Sequence, residues 1–214
     1  KGVLMLLSSN KIIGIIGLGY VGLPLAIAFS QKRRVIGYDI NVDRIKDLKI
    51  NIDKNQQVNL KEYSNDIMFT SSHSDLDICN TFILTLPSPI NNHFQPDLSI
   101  LKEASHKLSL ILKPGNIVIY ESTVFPGCTE DICIPVLEKE SNLKCPESFG
   151  VGYSPERINP GDPHHRIQNI TKIVSGITPS VANEIKETYE KIIEAGIYLA
   201  PSIKITEAAK IIEN

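Results

Sequence analysis

Residues 12–24 read IIGIIGLGYVGLP and constrain the fold of this chain more than any other stretch of its sequence. The run of β-branched residues at 11–16 is typical of a strand that is buried on both faces. The pattern G-x-G-x-x-G follows directly at 17–22, and residues 23–30 have the apolar spacing of a buried helix. A glycine pattern set between a strand and a helix predicts a turn that binds the phosphates of a dinucleotide.

Each glycine of this pattern has its own role in such a turn. Gly17 makes the tight turn, Gly19 leaves room for the pyrophosphate, and Gly22 allows the helix to pack closely on the strand. The helix N-terminus then offers free N–H groups and a partial positive charge to the phosphates. Tyr20 and Val21 lie within the turn, so we include them among the predicted cofactor contacts.

An acidic residue at the end of the second predicted strand favours NAD over NADP. Asp39 lies 20 residues after Gly19. A carboxylate there accepts both hydroxyls of the adenosine ribose and repels a 2′-phosphate. Ile40 belongs to the same predicted site, and Arg44, one turn into the next helix, either reaches the adenosine end of the cofactor or lies on the surface. The alternative interpretation of the region is an ordinary βαβ unit with a capping aspartate.

The remainder of the chain alternates short apolar runs with amphipathic stretches, which predicts an α/β fold with a doubly wound, mostly parallel, Rossmann-like sheet. The stretches 51–66 (or a marginal helix), 71–77 and 91–97 are predicted as loops, as is the proline- and glycine-rich segment 150–161. Further strands are predicted at 34–38, 67–70, 78–86, 116–120, 172–176 and 197–199, and further helices at 42–50, 98–112, 129–140, 179–195 and from 202 onwards.

Polar residues at the ends of two predicted strands are candidates for the cofactor crevice, because the carboxyl ends of parallel strands line that crevice in doubly wound sheets. Thr85, Pro87 and Ser88 follow the strand at 78–86 and are predicted to lie beside the cofactor. Ser122 and Thr123 end the next strand, where a hydroxyl holds a water or a cofactor amide, or else caps a helix.

Two further pairs of residues are candidates for chemistry. Glu156 and Arg157 lie in the predicted loop 150–161, where a fixed backbone makes them better catalytic candidates than the same residues on a helix face. Lys210 and Asn214 are one i,i+4 step apart in the last predicted helix and so share a face. That helix contains no stop signal, and we therefore expect the chain to be a fragment.

Composition excludes several classes of function. The 214 residues are 42% hydrophobic and 21% charged, as in soluble globular proteins. The net charge of −2 gives no electrostatic case for nucleic acid or an anionic membrane as partner, and no apolar run has the length of a transmembrane helix. The four cysteines and the histidines, His164 and His165 included, lack metal-ligand spacing, so no metal is expected and the thiols suit a reducing cytoplasm.

Several segments form a pattern far more specific than the glycines alone: GLGYVGLPLA (17–26), LPSPI (86–90), QPDLS (95–99), YESTVFPGCTE (120–130), GYSPERINPGD (152–162), KIVSG (172–176) and EAAKIIEN (207–214). In this order and spacing they resemble the UDP-glucose/GDP-mannose dehydrogenase family. The closest likeness within it is to the UDP-N-acetylhexosamine 6-dehydrogenases of bacterial capsule, Vi-antigen and O-antigen synthesis. The resemblance implies oxidation of the sugar C6 alcohol to a carboxylate by two NAD⁺ in succession, through a cysteine-bound thiohemiacetal and thioester.

The resemblance also implies roles for individual residues. Thr123 matches the hydroxyl that positions a water, and Glu156 matches the glutamate proposed to activate water for thioester hydrolysis. Lys210 and Asn214 match the pair that stabilises the developing oxyanion, which suits preorganised donors facing a forming alkoxide. Glu156, Arg157, Lys210 and Asn214 are therefore also the predicted substrate contacts.

The resemblance implies an organisation in which residues 1–10 form an extension, 11–200 the NAD-binding domain, and 201–214 the beginning of the linker and dimerisation helix of a homodimer. The family's nucleophilic cysteine and its C-terminal UDP-binding domain lie beyond residue 214, so this chain is expected to bind NAD⁺ and to be inactive alone.

The sequence departs from the family pattern at two places within residues 1–214. The second carboxylate of UDP-glucose enzymes is replaced around residues 159–160, which favours an N-acetylhexosamine, while Ser88 stands where threonine is common. The epimer stays open among UDP-GlcNAc, UDP-GalNAc and UDP-ManNAc. A β-hydroxyacid dehydrogenase of the 6-phosphogluconate type and a non-catalytic NAD-binding module remain the alternative functions.

Overall fold

The structure of the chain, a computed structural model, describes residues 11–56, 58, 60, 67–90, 95–156 and 167–213. The predictions for the extension 1–10, for most of the stretch 57–66, for 91–94 and for 157–161 lie outside them, as do Arg157, His164, His165 and Asn214.

Strands and helices alternate along the described chain. The strands are β1 (Ile13–Ile16), β2 (Val35–Tyr38), β3 (Ile67–Thr70), β4 (Thr81–Leu84), β5 (Ile117–Tyr120), β6 (Gly150–Tyr153), β7 (Lys172–Gly176) and β8 (Ile197–Leu199). The helices are α1 (Gly22–Ser30), α2 (Val42–Lys49), α3 (Ser99–Ser109), α4 (Ile134–Ser141, preceded by a π-helical turn at Thr129–Cys133), α5 (Pro179–Tyr189) and α6 (Ile203–Glu213), with 3₁₀ turns at His73–Ile78 and Ile167–Asn169.

The strands form one sheet in the order β3-β2-β1-β4-β5-β6-β7-β8. The pairs from β3 to β6 are parallel, β7 runs antiparallel to β6, and β8 runs parallel to β7. The order reverses at β1, which lies between β2 and β4, and such a reversal opens a crevice at the carboxyl ends of the strands. The predicted doubly wound, mostly parallel sheet is confirmed.

Apolar side chains cover both faces of the sheet, which explains why its inner strands are isoleucine- and valine-rich without alternation. Every residue of β1, β2, β4 and β5 is buried. The helix α1 is buried along almost its whole length, and its Phe29 ring meets the ring of Tyr189 in α5 with centroids 5.6 Å apart. At about 1.5–3 kcal/mol for each large apolar side chain removed from water, these contacts dominate the stability of the sheet.

The prediction of a loop at 150–161 is wrong for its first four residues, which form the buried strand β6. The two glycines that favoured a loop are there because α5 packs directly on the strand. A Cβ atom on Gly152 would lie 2.1 Å from Cδ1 of Ile185, and one on Gly150 would lie 2.8 Å from a Cγ atom of Val181.

Other boundaries differ from the prediction for local reasons. The predicted strand at 78–86 is shorter, because Ile78 ends a 3₁₀ turn in the stretch predicted to be a loop. Asp75 within that turn accepts a hydrogen bond of 2.5 Å from the hydroxyl of Thr70. The helix α5 ends at Tyr189 rather than at residue 195, although Ile192 and Ile193 beyond it are buried as the amphipathic pattern indicated.

Candidate cofactor and active site

The turn between β1 and α1 has the geometry that its glycines predict. Gly17 has φ of +95°, a left-handed conformation that favours glycine, and its N–H donates to the carbonyl of Tyr38 at 2.8 Å. A Cβ atom on Gly22 would lie 1.8 Å from the carbonyl oxygen of Gly17, so the helix start and the turn are in direct contact. A Cβ atom on Gly19 would meet no described atom within 4 Å, because this glycine faces open space.

Asp39 is fixed at the edge of this turn by two backbone groups. Its Oδ2 accepts a hydrogen bond from the N–H of Leu18 at 2.8 Å, and its Oδ1 accepts one from the N–H of Asn41 at 2.9 Å. The carboxylate is therefore held at the carboxyl end of β2 beside the glycine turn, where the sequence places the acid that contacts a ribose.

Arg44 holds the glycine turn from behind. Its Nε donates to the carbonyl of Leu18 at 3.0 Å, and its Nη1 pairs with Oδ1 of Asp53 at 2.8 Å. The Arg44 side chain is only 10% exposed, so it is not a plain surface arginine, and its reach towards the adenosine stays a prediction. Its described contacts fix the backbone of the turn.

A cavity of about 420 Å³ opens at the carboxyl ends of β1, β2 and β4. This volume is in the range of small-molecule and cofactor sites. Six of the predicted cofactor residues line it, namely Gly17, Gly19, Asp39, Ile40, Thr85 and Pro87. The other residues predicted for the cofactor, Tyr20, Val21, Gly22, Arg44, Ser88, Ser122 and Thr123, do not line this cavity, and their role in binding stays a prediction.

The opposite wall of the cavity escaped the sequence reasoning, because it comes from one face of an amphipathic helix and from a 3₁₀ turn rather than from strand ends. His73 lies 6.0 Å from the ring of Tyr38 in an edge-on contact, and its Nε2 is buried without a partner among the described residues. Burial lowers the pKa of His73. The helix α3 supplies the rest of this wall through Ile100, Glu103, Ala104 and Lys107.

Hydroxyl groups join the loops that follow β4 and β5. The Ser88 hydroxyl donates to the carbonyl of Thr123 at 2.5 Å, and the Ser122 hydroxyl donates to the carbonyl of Leu86 at 2.7 Å. The Tyr153 hydroxyl donates to the carbonyl of Ser122 at 3.0 Å. These bonds hold the two strand ends together, while Thr123 itself is exposed.

The register of the sheet places two of the predicted catalytic residues at the same edge. Tyr120 of β5 lies opposite Tyr153 of β6. Thr123 and Glu156 each follow three residues later, so both leave the same edge of the sheet from neighbouring parallel strands. The side chain of Glu156 is 13% exposed.

A buried charged cluster adjoins Glu156, and the sequence reasoning missed it. Nζ of Lys172 lies 3.1 Å from Oε2 of Glu121 and 3.5 Å from Oε2 of Glu156. The other oxygen of Glu121 accepts a short hydrogen bond from the hydroxyl of Tyr189. The only signal for this cluster in the sequence is that the charged residue Glu121 follows one buried strand and the charged residue Lys172 begins another.

For each member of the Glu121–Lys172 pair, burial and the charge of its partner have opposite effects on the pKa. Burial raises the pKa of the Glu121 carboxyl to about 7, although the ammonium of Lys172 opposes that rise. Burial by itself lowers the pKa of Lys172, but the carboxylates of Glu121 and Glu156 outweigh it and leave that pKa above its ordinary value of 10.5. Lys172 is therefore a buried cation at neutral pH.

A second buried carboxylate fixes α6. The oxygens of Glu207 accept hydrogen bonds from the N–H groups of Gly127 at 2.6 Å and Thr129 at 2.9 Å, in the segment that follows β5. Lys210 lies one turn later on the same face of α6 and is half-buried. The structure thus places the helix that carries Lys210 against the segment that follows Thr123.

Two kinds of feature are absent from the described residues. No group of three or more His, Cys, Asp or Glu side chains in these ranges has an arrangement that could hold a metal ion. No helix of the described chain combines the length and the apolar character needed to cross a membrane.

Comparison with known proteins gives a consistent result. The sequence model of the UDP-glucose/GDP-mannose dehydrogenase family, NAD binding domain, matches residues 11–193. The chain is 53% identical over 205 residues to UDP-N-acetyl-D-glucosamine 6-dehydrogenase of Pseudomonas aeruginosa, covering 94% of this chain and 48% of that protein. It is 49% identical over 206 residues to Protein CapL of Staphylococcus aureus, with 96% of this chain and 49% of that protein covered.

A solved structure of a UDP-D-ManNAc dehydrogenase from Pyrococcus horikoshii superimposes with a TM-score of 0.87 at 31% identity, over 95% of this chain and 50% of that one. The chain therefore spans about half the length of the relatives that it matches.

Proposed function

The chain belongs to the UDP-glucose/GDP-mannose dehydrogenase family, and we propose that it carries the cofactor-binding part of an enzyme that oxidises the C6 hydroxyl of a UDP-N-acetylhexosamine to a carboxylate. The observation that carries this proposal is the 53% identity, over nearly the whole chain, to a UDP-N-acetyl-D-glucosamine 6-dehydrogenase. The uronic acid would serve the synthesis of a surface polysaccharide. We further propose that the enzyme is a cytoplasmic homodimer whose subunits pair through the helix that begins with α6.

The matched region is the NAD-binding domain of the family, and the features of the crevice fit that cofactor. The open space at Gly19 fits a pyrophosphate, and the anchored carboxylate of Asp39 fits an adenosine ribose. The buried Nε2 of His73, which has no hydrogen-bond partner among the described residues, fits a polar group of the ligand. When bound, NAD supplies the acceptor for the hydride that leaves C6. Thr85 holds the turn in shape, because its hydroxyl donates to the carbonyl of Gly17 at 2.7 Å.

We assign the chemical roles to residues at the same edge of the sheet. Thr123 would position a water, and Glu156, which leaves the sheet beside it, would activate that water. Lys210 and Asn214 would stabilise the oxyanion that forms at C6. Arg157, next to Glu156 in sequence, would contact the substrate. The buried bonds of Glu207 support this assignment, because they fix the helix on which Lys210 lies.

The test is NADH formation by the full-length product of the gene with a panel of UDP-sugars. We expect two NADH for each UDP-GlcNAc or UDP-GalNAc and none from UDP-glucose, whereas the 214-residue chain alone is expected to bind NAD⁺ without turnover. Glu156→Gln should remove turnover and leave NAD⁺ binding unchanged, and Glu187→Gln, at an exposed glutamate of α5, should change neither. Tight NAD⁺ binding without turnover of any UDP-sugar would refute the assignment.

A further inference from the structure

We propose that Lys172 is a positioning residue for the candidate active site, which fixes the carboxylate of Glu156 from inside the sheet, and that Glu121 and Tyr189 fix Lys172 in turn. The inference rests on the proposed function, since that function gives Glu156 its role. It concerns residues to which the resemblance assigns nothing.

The change of strand direction in the sheet puts Lys172 at the active-site edge. The strand β7 runs antiparallel to β6, with Tyr153 opposite Ser175. The first residue of β7 therefore lies near the carboxyl end of β6, where Glu156 emerges. A hydrogen bond of 2.9 Å from the hydroxyl of Ser154 to the carbonyl of Ile173 ties the two strands at this point. In a fully parallel sheet, the first residue of β7 would lie at the opposite edge.

The ammonium group of Lys172 donates hydrogen bonds to Glu121 and to the carbonyl of Pro155, and it forms an ion pair with Glu156. Nζ lies 3.1 Å from Oε2 of Glu121, 3.4 Å from the carbonyl of Pro155 and 3.5 Å from Oε2 of Glu156. Pro155 and Glu156 are consecutive residues of the segment that follows β6. One cation thus joins Glu121, which follows β5, to the backbone of Pro155 and to the side chain of Glu156.

The position of the ammonium group is fixed independently of Glu156. The side chain of Lys172 is 5% exposed and that of Glu121 is fully buried. Nζ of Lys172 lies 5.1 Å from the centroid of the Tyr189 ring. The hydroxyl of this tyrosine donates a hydrogen bond to the other oxygen of Glu121. A mobile surface lysine could not hold a carboxylate in one orientation, but a lysine clamped between a buried glutamate and a tyrosine face can.

The charge balance of the cluster also favours this role. Among the described residues, the carboxylates of Glu121, after β5, and of Glu156, after β6, share the ammonium of Lys172. The hydroxyl of Tyr189 in α5 donates a hydrogen bond to Glu121. The charges of Glu121 and Lys172 cancel when both groups are ionised, so removing the two together leaves the net charge of the core unchanged. Loss of Lys172 alone would remove the cation that lies between the carboxylates of Glu121 and Glu156.

The experiment compares four variants of the full-length gene product. Lys172→Met removes the cation, and Lys172→Met combined with Glu121→Gln removes the buried pair as a unit, which restores the charge balance of the core. Lys172→Arg keeps the charge. Lys186→Met, which removes an exposed i,i+4 pair with Glu190 on α5, is the matched control. Thermal unfolding and NAD⁺ binding identify the variants that fold.

We expect the double variant to fold and to bind NAD⁺ as the unchanged protein does, with kcat lowered by about tenfold to 100-fold, as for a displaced catalytic group. KM for the UDP-sugar should change by less than about threefold, because a positioning residue acts on the chemical step. Lys172→Arg should recover part of kcat, because it keeps the positive charge. A kcat of the double variant equal to that of the Lys186→Met control would overturn the proposal.

A second measurement needs neither turnover nor a variant of Lys172. In the 214-residue chain, replacement of Glu156 by Gln should move the ¹⁵Nζ resonance of Lys172, while Glu187→Gln should leave it unchanged. A resonance that does not respond to Glu156→Gln would also overturn the proposal. A resonance that responds, in a protein whose full-length form turns over no UDP-sugar, would refute the proposed function and leave the contact between Lys172 and Glu156 intact.

Discussion

Replacement of Gly19 by alanine should weaken NAD⁺ binding without destabilising the fold. The added methyl group would meet no described atom within 4 Å, and Gly19 is not among the glycines with positive φ, so alanine fits the turn of the unliganded chain. A Gly→Ala change at a compatible position stabilises a protein by about 0.4–1 kcal/mol through the unfolded state. For a chain of this length, the melting temperature should therefore stay constant or rise by up to about 4 °C.

Binding should respond differently, because the new methyl group occupies the space into which the pyrophosphate fits. We expect the Kd for NAD⁺ to rise at least about tenfold, which corresponds to about 1.4 kcal/mol. Isothermal titration calorimetry and differential scanning fluorimetry on the same preparation measure the two quantities separately.

Gly22→Ala is the matched comparison from the same glycine pattern. Its Cβ atom would lie 1.8 Å from the carbonyl oxygen of Gly17 and 2.4 Å from the hydroxyl of Thr85, so the turn itself must move. Overpacking of this kind costs about 1–3 kcal/mol or more, and both the melting temperature and NAD⁺ affinity should fall. If Gly19→Ala binds NAD⁺ as tightly as the unchanged chain, the cofactor does not approach the backbone at Gly19 and the role assigned to this space is wrong.

Two further predictions concern the buried carboxylates. Glu207→Gln replaces one of the two acceptor oxygens that face the N–H groups of Gly127 and Thr129 by a donor. In urea titrations it should lower the free energy of unfolding by about 1–3 kcal/mol, whereas Glu187→Gln should leave that free energy unchanged. The pKa of Glu121 is raised to about 7, so the folded chain holds this proton more tightly than the unfolded chain does, and the resulting stability is lost as the pH rises through 7. Between about pH 5 and pH 8, the free energy of unfolding of the unchanged chain should therefore fall relative to that of Glu121→Gln; an equal pH dependence would contradict the burial of this carboxyl.

The sequence predicted those parts of the fold that depend on local pattern. The glycine turn, the strand at 67–70 and the acid after the second strand each combine a residue type with a fixed spacing, and the structure has all three in place. It did not predict β6, because Gly150 and Gly152 are set by the helix that packs on them, and a glycine required by a distant neighbour looks the same in sequence as one required by a turn.

The candidate site was predictable to a similar extent. Residues at strand ends were found from the strand pattern, but the wall formed by α3 and the partners of Lys172 were not, because both depend on which elements become neighbours in the sheet. The pairing of Glu121 with Lys172 joins residues 51 positions apart, and the antiparallel direction of β7, which brings them together, leaves no mark in the sequence of β7 itself.

Hydrogen bonds at the sheet edge link the glycine turn, the loops after β4 and β5, and α6. The bonds from Ser88 and Ser122 join the loops after β4 and β5, and Glu207 joins the segment after β5 to α6. Since Thr85 in the loop after β4 also holds the glycine turn, a continuous chain of contacts runs from the phosphate-binding turn to the helix that carries Lys210. A displacement of the turn, as in Gly22→Ala, should therefore shift α6. Through the same hydrogen bonds, a bound cofactor would order the residues that are proposed to contact the sugar.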